Sequence, residues 1–279
     1  MELARDRRPR KPCSRAAGQP GAIGGPATPS GTLRAHFASV AASYDQLRND
    51  PEMLEPLLQD MLEAGDLAGR LVLDVGCGTG RMLQLLAMRH RVAGAGIDSS
   101  PEMVQQARRQ APPGVKLQLA EAERLPFGDR TFERALLSMV VHLVDRPRAF
   151  AELARVLTPG GRLLVVTPDP AGFAGSWLAR LFPSYVAVER ARFPSGEELA
   201  AELTIAGFGP CSVRRRRYQR RLDRDVALRK LAQRHVSTFA LLDEREYQAG
   251  VRLAERTLPA QVRYTTATLL VAATRPERP

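Results

Sequence analysis

The hydrophobic positions of the chain are most sharply patterned around residues 71–80. Leu71, Val72 and Leu73 form a continuous apolar run that ends at Asp74, and glycine then occupies positions 76, 78 and 80. A short apolar run closed by glycines predicts a buried strand that ends in a tight turn. Apolar residues then recur at helical spacing, at positions 82, 83, 85, 86 and 88. The pattern therefore predicts a strand, a glycine loop and a helix, with a ligand site at the carboxyl end of the strand.

Further strands and helices follow this unit along the chain. The predicted strands are 92–97, 115–119, 132–139, 162–167 and 262–271. Predicted helices begin at Ser100-Pro101, at Pro147 and at the capping box Ser195-Gly196-Glu197-Glu198, and two more span 224–235 and 243–257. The segment 33–64 is predicted to be helical, with breaks at Pro51 and Pro56. The fold class expected is α/β.

Composition and charge limit the possible functions. The net charge of +11 is concentrated in residues 1–30 and 211–235, so it does not indicate general nucleic-acid binding. Residues 1–30 are rich in Arg, Pro, Gly and Ala, which predicts a disordered basic tail. No apolar run is long enough to span a bilayer, and neither a secretory signal nor a transit peptide is predicted. Three scattered cysteines favour a reducing, cytoplasmic location without disulfides or a metal site.

The glycine pattern narrows the class of ligand. A dinucleotide fingerprint needs a third glycine where this chain has Arg81, and the Gly-Lys-Ser/Thr of a phosphate loop is absent. Asp98 lies 22 residues after Gly76, at the end of the second predicted strand. A carboxylate there is placed to accept hydrogen bonds from ribose hydroxyls, which favours an adenosine cofactor.

Five motifs occur in the order and spacing of a known family. They are Asp74-Val75-Gly76-Cys77-Gly78-Thr79-Gly80, Asp98-Ser99-Ser100-Pro101-Glu102-Met103, 120–127 (AEAERLPF), 140–145 (VVHLVD) and Thr158-Pro159-Gly160-Gly161. Together they resemble the class I S-adenosylmethionine-dependent methyltransferases, in particular the small-molecule, ubiquinone/menaquinone-methyltransferase-like "methyltransferase type 11" branch. The resemblance implies a Rossmann-like, doubly wound, seven-stranded sheet that is mostly parallel with an antiparallel last strand, plus helical insertions.

The resemblance also implies the site residues and the cofactor, S-adenosyl-L-methionine. The cofactor-binding positions expected are Asp74, Gly76, Cys77, Gly78, Gly80, Asp98, Ser99, Met103, Glu121, Ala122, Ser138 and Tyr44. His142 is the candidate catalytic residue, because a neutral imidazole can accept a proton from an acceptor hydroxyl. The alternative interpretation of His142 is a structural histidine in a loop.

The domain organisation expected is one methyltransferase domain over 31–279. Within it, 31–66 form an N-terminal helical cap, and 169–194 and 222–258 are insertions on the substrate side. The aromatic residues of 169–194 predict either an apolar substrate pocket or additional core. Arg234, His235, Ser237 and Thr238 are candidate substrate contacts. The basic run Arg214–Arg221 is interpreted as a solvated edge strand, or as an attractor for an acidic substrate, an anionic partner or a membrane surface.

The function predicted is methyl transfer to an O, C or N nucleophile of a small, partly apolar metabolite, such as a quinone, a polyketide or another secondary metabolite. Two alternatives remain: a methyltransferase acting on RNA or protein, and a non-methylating S-adenosylmethionine-binding protein of the same fold. A nucleic-acid substrate is disfavoured, because Ser138-Met139-Val140-Val141 stands where base-methylating enzymes carry an Asp/Asn-Pro-Pro-aromatic run. The acceptor, the attacked atom and the oligomeric state are left open.

Overall fold

A computed structural model describes residues 31–42, 44–45 and 51–277 of the chain. The strands are β1 (Leu71–Val75), β2 (Ala93–Asp98), β3 (Val115–Leu119), β4 (Phe132–Ser138), β5 (Leu157–Pro168), β6 (Ser212–Asp223) and β7 (Gln261–Thr274). The α-helices with bounds in these ranges are α1 (Gly31–Val40), α2 (Pro51–Gly65), α3 (Arg81–His90), α4 (Pro101–Gln110), α5 (Arg146–Val156), α6 (Tyr185–Arg192), α7 (Gly196–Ile205), α8 (Arg224–Ala232) and α9 (Glu244–Thr257). The predicted tail, residues 1–30, lies outside the described residues.

The strands form one seven-stranded sheet in the order β3-β2-β1-β4-β5-β7-β6. β1 pairs in parallel with β2 and β4, and β5 pairs in parallel with β4. β7 is antiparallel to both β5 and β6. The order reverses at β1, which is where a doubly wound sheet opens a crevice for ligands. The α/β fold class and the antiparallel last strand are thus confirmed.

The hydrophobic core lies on both faces of the sheet. β1 is central, so both of its faces are covered and Val72, Leu73 and Val75 are fully buried. One cluster packs β1, β4 and β5 against α5 and α7, and another packs α2 and α3 on the opposite face. A third cluster joins residues 177–185 to α8 and α9, so it brings the two predicted insertions together. The second of these insertions begins inside β6, because that strand continues to Asp223.

Two predicted boundaries were wrong. Pro56 does not break a helix, because α2 runs through it from Pro51 to Gly65. Pro56 is the sixth residue of α2, so the helix forgoes one main-chain hydrogen bond there and still continues, with Leu57, Leu58 and Met61 buried in the core beyond it. β5 begins at Leu157 rather than Arg162. Gly160, with φ +73, donates its N–H to the Arg275 carbonyl at 3.0 Å, so the Pro-Gly-Gly segment continues the pairing toward the end of β7.

Candidate active site

A cavity of about 390 Å³ opens at the carboxyl ends of β1, β2 and β4. A volume of that size is typical of small-molecule and cofactor sites. The glycine loop, the start of α4 and the N-terminal cap form its walls. Of the predicted cofactor-binding residues, those that line it are Tyr44, Gly76, Gly78, Asp98, Ser99, Met103, Glu121, Ala122 and Ser138.

The glycine loop folds tightly against the end of β2. The main-chain N–H groups of Gly76 and Cys77 both donate to the Ile97 carbonyl, at 2.8 and 2.9 Å. Gly76, Gly78 and Gly80 all have positive φ, between +55 and +76. A Cβ on Gly76 would lie 2.5 Å from a methyl carbon of Val140, whereas a Cβ on Gly78 would meet no protein atom within 4 Å. The loop therefore exposes backbone to the cavity at positions where side chains are disfavoured.

Cys77 and Gly80 belong to this loop but do not line the cavity. Gly80 donates its N–H to the Cys77 carbonyl at 2.9 Å, which closes the turn before α3. A Cβ on Gly80 would lie 3.2 Å from the Cβ of Ala107 in α4. Both residues thus shape the loop from behind the cavity wall, and cofactor binding by them stays a prediction.

Asp98 holds the loop at the tip of β2. Its Oδ2 accepts the Gly78 N–H at 2.8 Å, and its Oδ1 accepts the Ser100 N–H at 2.9 Å. Burial is the main effect on this carboxyl and raises its pKa, partly opposed by the backbone N–H donors. Each carboxylate oxygen has a second lone pair, so the side chain retains acceptor capacity on the cavity side. Asp98 therefore links the glycine loop to the wall where a ribose is expected.

Asp74 lies under the loop rather than in the cavity wall. It is 2% exposed, and its Oδ1 has no hydrogen-bond partner within the described parts of the chain. Burial, with a smaller contribution from the Asp98 charge, raises the pKa of Asp74 to about 7. A buried carboxyl oxygen without a donor is uncommon in a native protein and calls for a ligand or a functional explanation.

The cap is tied to the glycine loop through one side chain. Asp45 accepts the Thr79 hydroxyl at 2.6 Å and the Gln110 amide at 3.2 Å. The Arg81 guanidinium donates to the Asp45 main-chain carbonyl at 3.3 Å. These bonds place the neighbouring Tyr44 against the cavity, so the cap forms part of the site and not only of the core.

A second cavity of about 260 Å³ adjoins the first. Phe37, Tyr44 and Met139 line both cavities. The second cavity is rich in aromatic groups from the predicted insertion, in which Phe173, Trp177, Tyr185 and Phe193 face it. Phe182 of the same insertion packs instead into the third core cluster, so the segment contributes both pocket and core.

His142 lies at the boundary between the two cavities. It belongs to a 3₁₀ turn, Val141–Leu143, that follows β4. Leu143 lines the first cavity, whereas His142 lines the second. The imidazole stacks on the Phe193 ring, with centroids 4.0 Å apart and planes inclined by 29°. The ring thus lies on the side of the second cavity.

Sequence reasoning missed several residues of the site. Met139 has φ +59, a strained conformation for a residue with a side chain, and it lies at the junction of the cavities. Nothing in the sequence indicates this strain. Arg220 belongs to the basic run interpreted either as a solvated edge strand or as an attractor for an acidic substrate, an anionic partner or a membrane surface, and it is 6% exposed and lines the second cavity. Its alternation with Tyr218 and Leu222, both buried, is a sequence signal for an inward-facing position.

Three of the four predicted substrate contacts lie at the second cavity. His235, Ser237 and Thr238 line the second cavity. Arg234 does not, because its guanidinium lies 3.8 Å above the Tyr247 ring and pairs with Glu244 at 2.6 Å. Ser237 and Thr238 are linked to α6 through Arg192, which donates to their hydroxyls at 2.9 and 3.1 Å. The loop after α8 is thereby fastened over the pocket.

The first cavity fits the cofactor expected from the sequence. The glycine loop exposes its backbone at Gly76 and Gly78 to a bound group, and Asp98 offers acceptors for sugar hydroxyls. Asp74 and Asp98 place negative charge close to the cavity when they are ionised, which suits a ligand that carries a sulfonium and an ammonium group. In residues 31–42, 44–45 and 51–277, no group of three or more His, Cys, Asp or Glu side chains is arranged to hold a metal ion.

The sheet order, the glycine loop and the acidic strand end define a Rossmann-like methyltransferase fold. Residues 73–165 match the family model described as "Methyltransferase domain". This match confirms the resemblance to the class I S-adenosylmethionine-dependent methyltransferases over that part of the chain.

Relatives with sequence similarity include proteins of fungal and bacterial origin. O-methyltransferase cnsE of Penicillium expansum is 42% identical over 103 residues, covering 35% of this chain and 37% of the relative. Methyltransferase GfsG of Streptomyces halstedii is 33% identical over 172 residues, covering 50% of this chain and 62% of the relative. The chain thus spans less than two thirds of the length of either curated relative.

Solved structures share the fold. The structure described as the [4+2]-cyclase SpnF has a TM-score of 0.60 and 21% sequence identity to this chain, and the matched region covers 91% of this chain and 98% of that one.

In the described parts of the chain, no helix has both the length and the apolar character needed to cross a membrane.

Proposed function

We propose that the protein transfers a methyl group from S-adenosylmethionine to a small acceptor molecule held in the second cavity. The observation that carries this proposal is the junction of the two cavities. The first has the glycine loop and Asp98 expected for the cofactor, and the second has aromatic walls expected for an apolar acceptor. Phe37, Tyr44 and Met139 are shared by both walls, so ligands in the two cavities would lie next to each other.

The chain's own residues would position the reactants. S-adenosylmethionine, when bound, supplies an already activated methyl group. Gly76, Gly78 and Asp98 would hold the cofactor from the loop and strand side, while Tyr44 and Phe37 would cover it and exclude water. Because displacement at an activated methyl group depends mainly on alignment, a rigid pair of adjoining pockets accounts for most of the catalysis needed.

His142 is proposed as the group that accepts a proton when the acceptor is a hydroxyl. Its stacking on Phe193 holds the ring at the cavity boundary, and imidazole is the side chain most often used as a general base in enzymes. The O-methyltransferase description of the Penicillium relative supports a hydroxyl acceptor of secondary metabolism.

Calorimetry with S-adenosylhomocysteine and transfer of labelled methyl from S-adenosylmethionine to metabolite extracts test this function. Asp98→Ala is expected to weaken cofactor binding about tenfold or more, because it removes one or two good hydrogen bonds and loosens the Gly78 contact. Asp129→Ala, an exposed carboxylate away from both cavities, is the matched control. Unchanged affinity in Asp98→Ala, or binding of a nicotinamide dinucleotide instead, would refute the assignment.

A second candidate function is a reaction in the second cavity that uses the bound cofactor only as a structural element. The similarity to a structure described as a cyclase supports this alternative at the level of fold. It predicts tight binding of S-adenosylhomocysteine without any labelled product. Appearance of labelled product, lost in Gly76→Ala, would eliminate it.

A further inference from the structure

The sequence of β7 changes from apolar residues to threonine where the strand reaches the second cavity. Residues 269–273 are buried and apolar, and Thr265, Thr266 and Thr268 precede them. All three threonines line the second cavity. The β-branched shape of threonine favours a strand, but valine has the same shape without the hydroxyl. The hydroxyl groups therefore require an explanation beyond strand propensity.

Two of the three hydroxyls have hydrogen-bond acceptors within the protein. Thr265 Oγ1 donates to the Oε1 of Gln219 at 3.2 Å, and Thr266 Oγ1 donates to the Sδ of Met53 at 3.9 Å. Thr268 differs, because no hydrogen bond joins its hydroxyl to any residue that the structure describes. The residue is nevertheless only 3% exposed. A buried hydroxyl without a partner lowers stability, since it has lost its hydrogen bonds to water.

Thr167 on the adjacent strand β5 provides a comparison. Its Oγ1 is also buried without a hydrogen-bond partner in the described residues. Thr167 pairs with Leu269, so it lies beside Thr268 in the sheet. It lines neither cavity, whereas Thr268 lines the second. Of these two unsatisfied hydroxyls, only that of Thr268 can therefore reach a ligand.

We propose that the methyl acceptor carries an oxygen, such as a carbonyl oxygen, that receives the hydrogen bond of the Thr268 hydroxyl. Thr268 lines only the second cavity, whereas the methyl group would be transferred near the wall that both cavities share. The oxygen at Thr268 is therefore a recognition group, and a different atom of the acceptor receives the methyl group. This inference rests on the proposed function, because it assigns the second cavity to the acceptor.

A matched pair of small ligands tests this recognition. The full-length protein, saturated with S-adenosylhomocysteine, is titrated by calorimetry with 4-hydroxyacetophenone and with 4-ethylphenol, which has nearly the same shape without the carbonyl oxygen. The ketone is expected to bind about fivefold more tightly, the preference that one neutral hydrogen bond gives. Equal affinities, or no binding of either ligand at millimolar concentration, would overturn the proposal.

Isosteric variants assign the preference to one hydroxyl. Thr268→Val is expected to abolish the preference for the ketone and to leave the affinity for 4-ethylphenol unchanged. Thr268→Ser, which keeps a hydroxyl, is expected to retain the preference. Thr167→Val removes the neighbouring hydroxyl, which lines neither cavity, so it is the matched control and should also retain the preference. A preference that persists in Thr268→Val would refute the assignment.

Urea unfolding of the ligand-free protein gives a second readout that needs no ligand. The Thr268 hydroxyl has no partner among the described residues, so Thr268→Val is expected to keep or raise the midpoint of unfolding, as Thr167→Val is. A lower midpoint in Thr268→Val alone would mean that the hydroxyl is bonded within the protein, which would contradict the proposal.

The two proposals fail in different ways. If S-adenosylhomocysteine does not bind but the ketone is preferred in its absence, the proposed function fails and the site at Thr268 remains. If labelled methyl is transferred from S-adenosylmethionine but the ketone and 4-ethylphenol bind equally, the site at Thr268 fails and the methyltransferase function remains.

Discussion

The two halves of the site are built in opposite ways. The cofactor cavity is formed by main-chain loops at neighbouring strand ends, and its charged side chains are acids such as Asp98 and Glu121. The second cavity, proposed for the acceptor, is formed by side chains from distant segments, and acids and cations line it together, Asp169 and Glu189 with Arg220 and Lys230. A cationic cofactor would lie in a complementary field in the first cavity. The contrast shows that one of two adjoining pockets can favour a charge of one sign while the other is shaped mainly by aromatic packing.

The largest expected effect concerns Asp74, the buried acid under the glycine loop of the first cavity. Its pKa is raised to about 7 by burial, so the neutral carboxyl is favoured in the folded state. The stabilisation from this proton is complete below the unfolded pKa and is lost as the pH rises through about 7. At most about 4 kcal/mol of unfolding free energy is therefore lost between about pH 4 and pH 8.

Urea unfolding of the cofactor-free protein across this pH range measures that loss. Asp74→Asn, which mimics the neutral carboxyl, is expected to abolish most of the decline with pH. The difference between the two proteins isolates Asp74 from other titrating groups, Asp98 included. Identical declines in both would mean that Asp74 is ionised at neutral pH in the folded protein, contrary to the raised pKa.

The next largest effect concerns the main-chain surface of the glycine loop. Gly76→Ala imposes a Cβ at φ +71 and 2.5 Å from the Val140 side chain. We expect S-adenosylhomocysteine affinity to fall about a hundredfold, from backbone strain and displacement of the cavity wall. Gly69→Ala is the control, because Gly69 has φ +70 but its Cβ would meet nothing within 4 Å. Equal losses of affinity in calorimetry would show that backbone strain alone, and not the cavity, is responsible.

A smaller effect, on turnover, is expected from a substitution in the second cavity. Phe193→Leu removes the ring that stacks on His142 but keeps an apolar side chain. Aromatic pairs contribute about 1 kcal/mol beyond their buried area, so turnover of a hydroxyl acceptor should fall about fivefold. Cofactor affinity should not change, since Phe193 does not line the first cavity. A change in cofactor affinity without a change in turnover would contradict the division between the two halves.

The smallest effect concerns the cap. Asp45→Asn leaves one side-chain acceptor for the two donors Thr79 and Gln110, so one hydrogen bond of about 1 kcal/mol is lost. Release of S-adenosylhomocysteine, followed by stopped-flow displacement, should accelerate about fivefold. Thr79→Val should produce a similar change, and the double variant should be slower than the sum of the two free energies predicts, because both substitutions remove the same contact. Additive effects of the two substitutions would show that the residues act independently.

The difference between the two cavities also explains which parts of the site could be predicted from the sequence. The strand, loop and helix of residues 71–90 and the acid at Asp98 are contiguous patterns with local physical causes, so the central unit of the fold and the cavity residues Gly76, Gly78 and Asp98 followed from them. The other predicted residues that line the first cavity came from the family resemblance. The acceptor cavity depends on tertiary packing that brings Phe37, His142, Arg220 and Tyr264 together. Strand alternation indicates on which face of β6 Arg220 lies. Whether that face is enclosed depends on the packing of α2 and α8 against it, which only the structure shows.

The shared wall has a kinetic consequence. Phe37 and Tyr44 belong to both cavities, and Asp45 fastens their segment to the glycine loop. An occupant of the first cavity would contact Phe37 and Tyr44 and hold them in place, so we expect the acceptor to bind more tightly once the cofactor has entered. We therefore expect compulsory-order kinetics, in which the nucleoside substrate binds first and its demethylated product departs last.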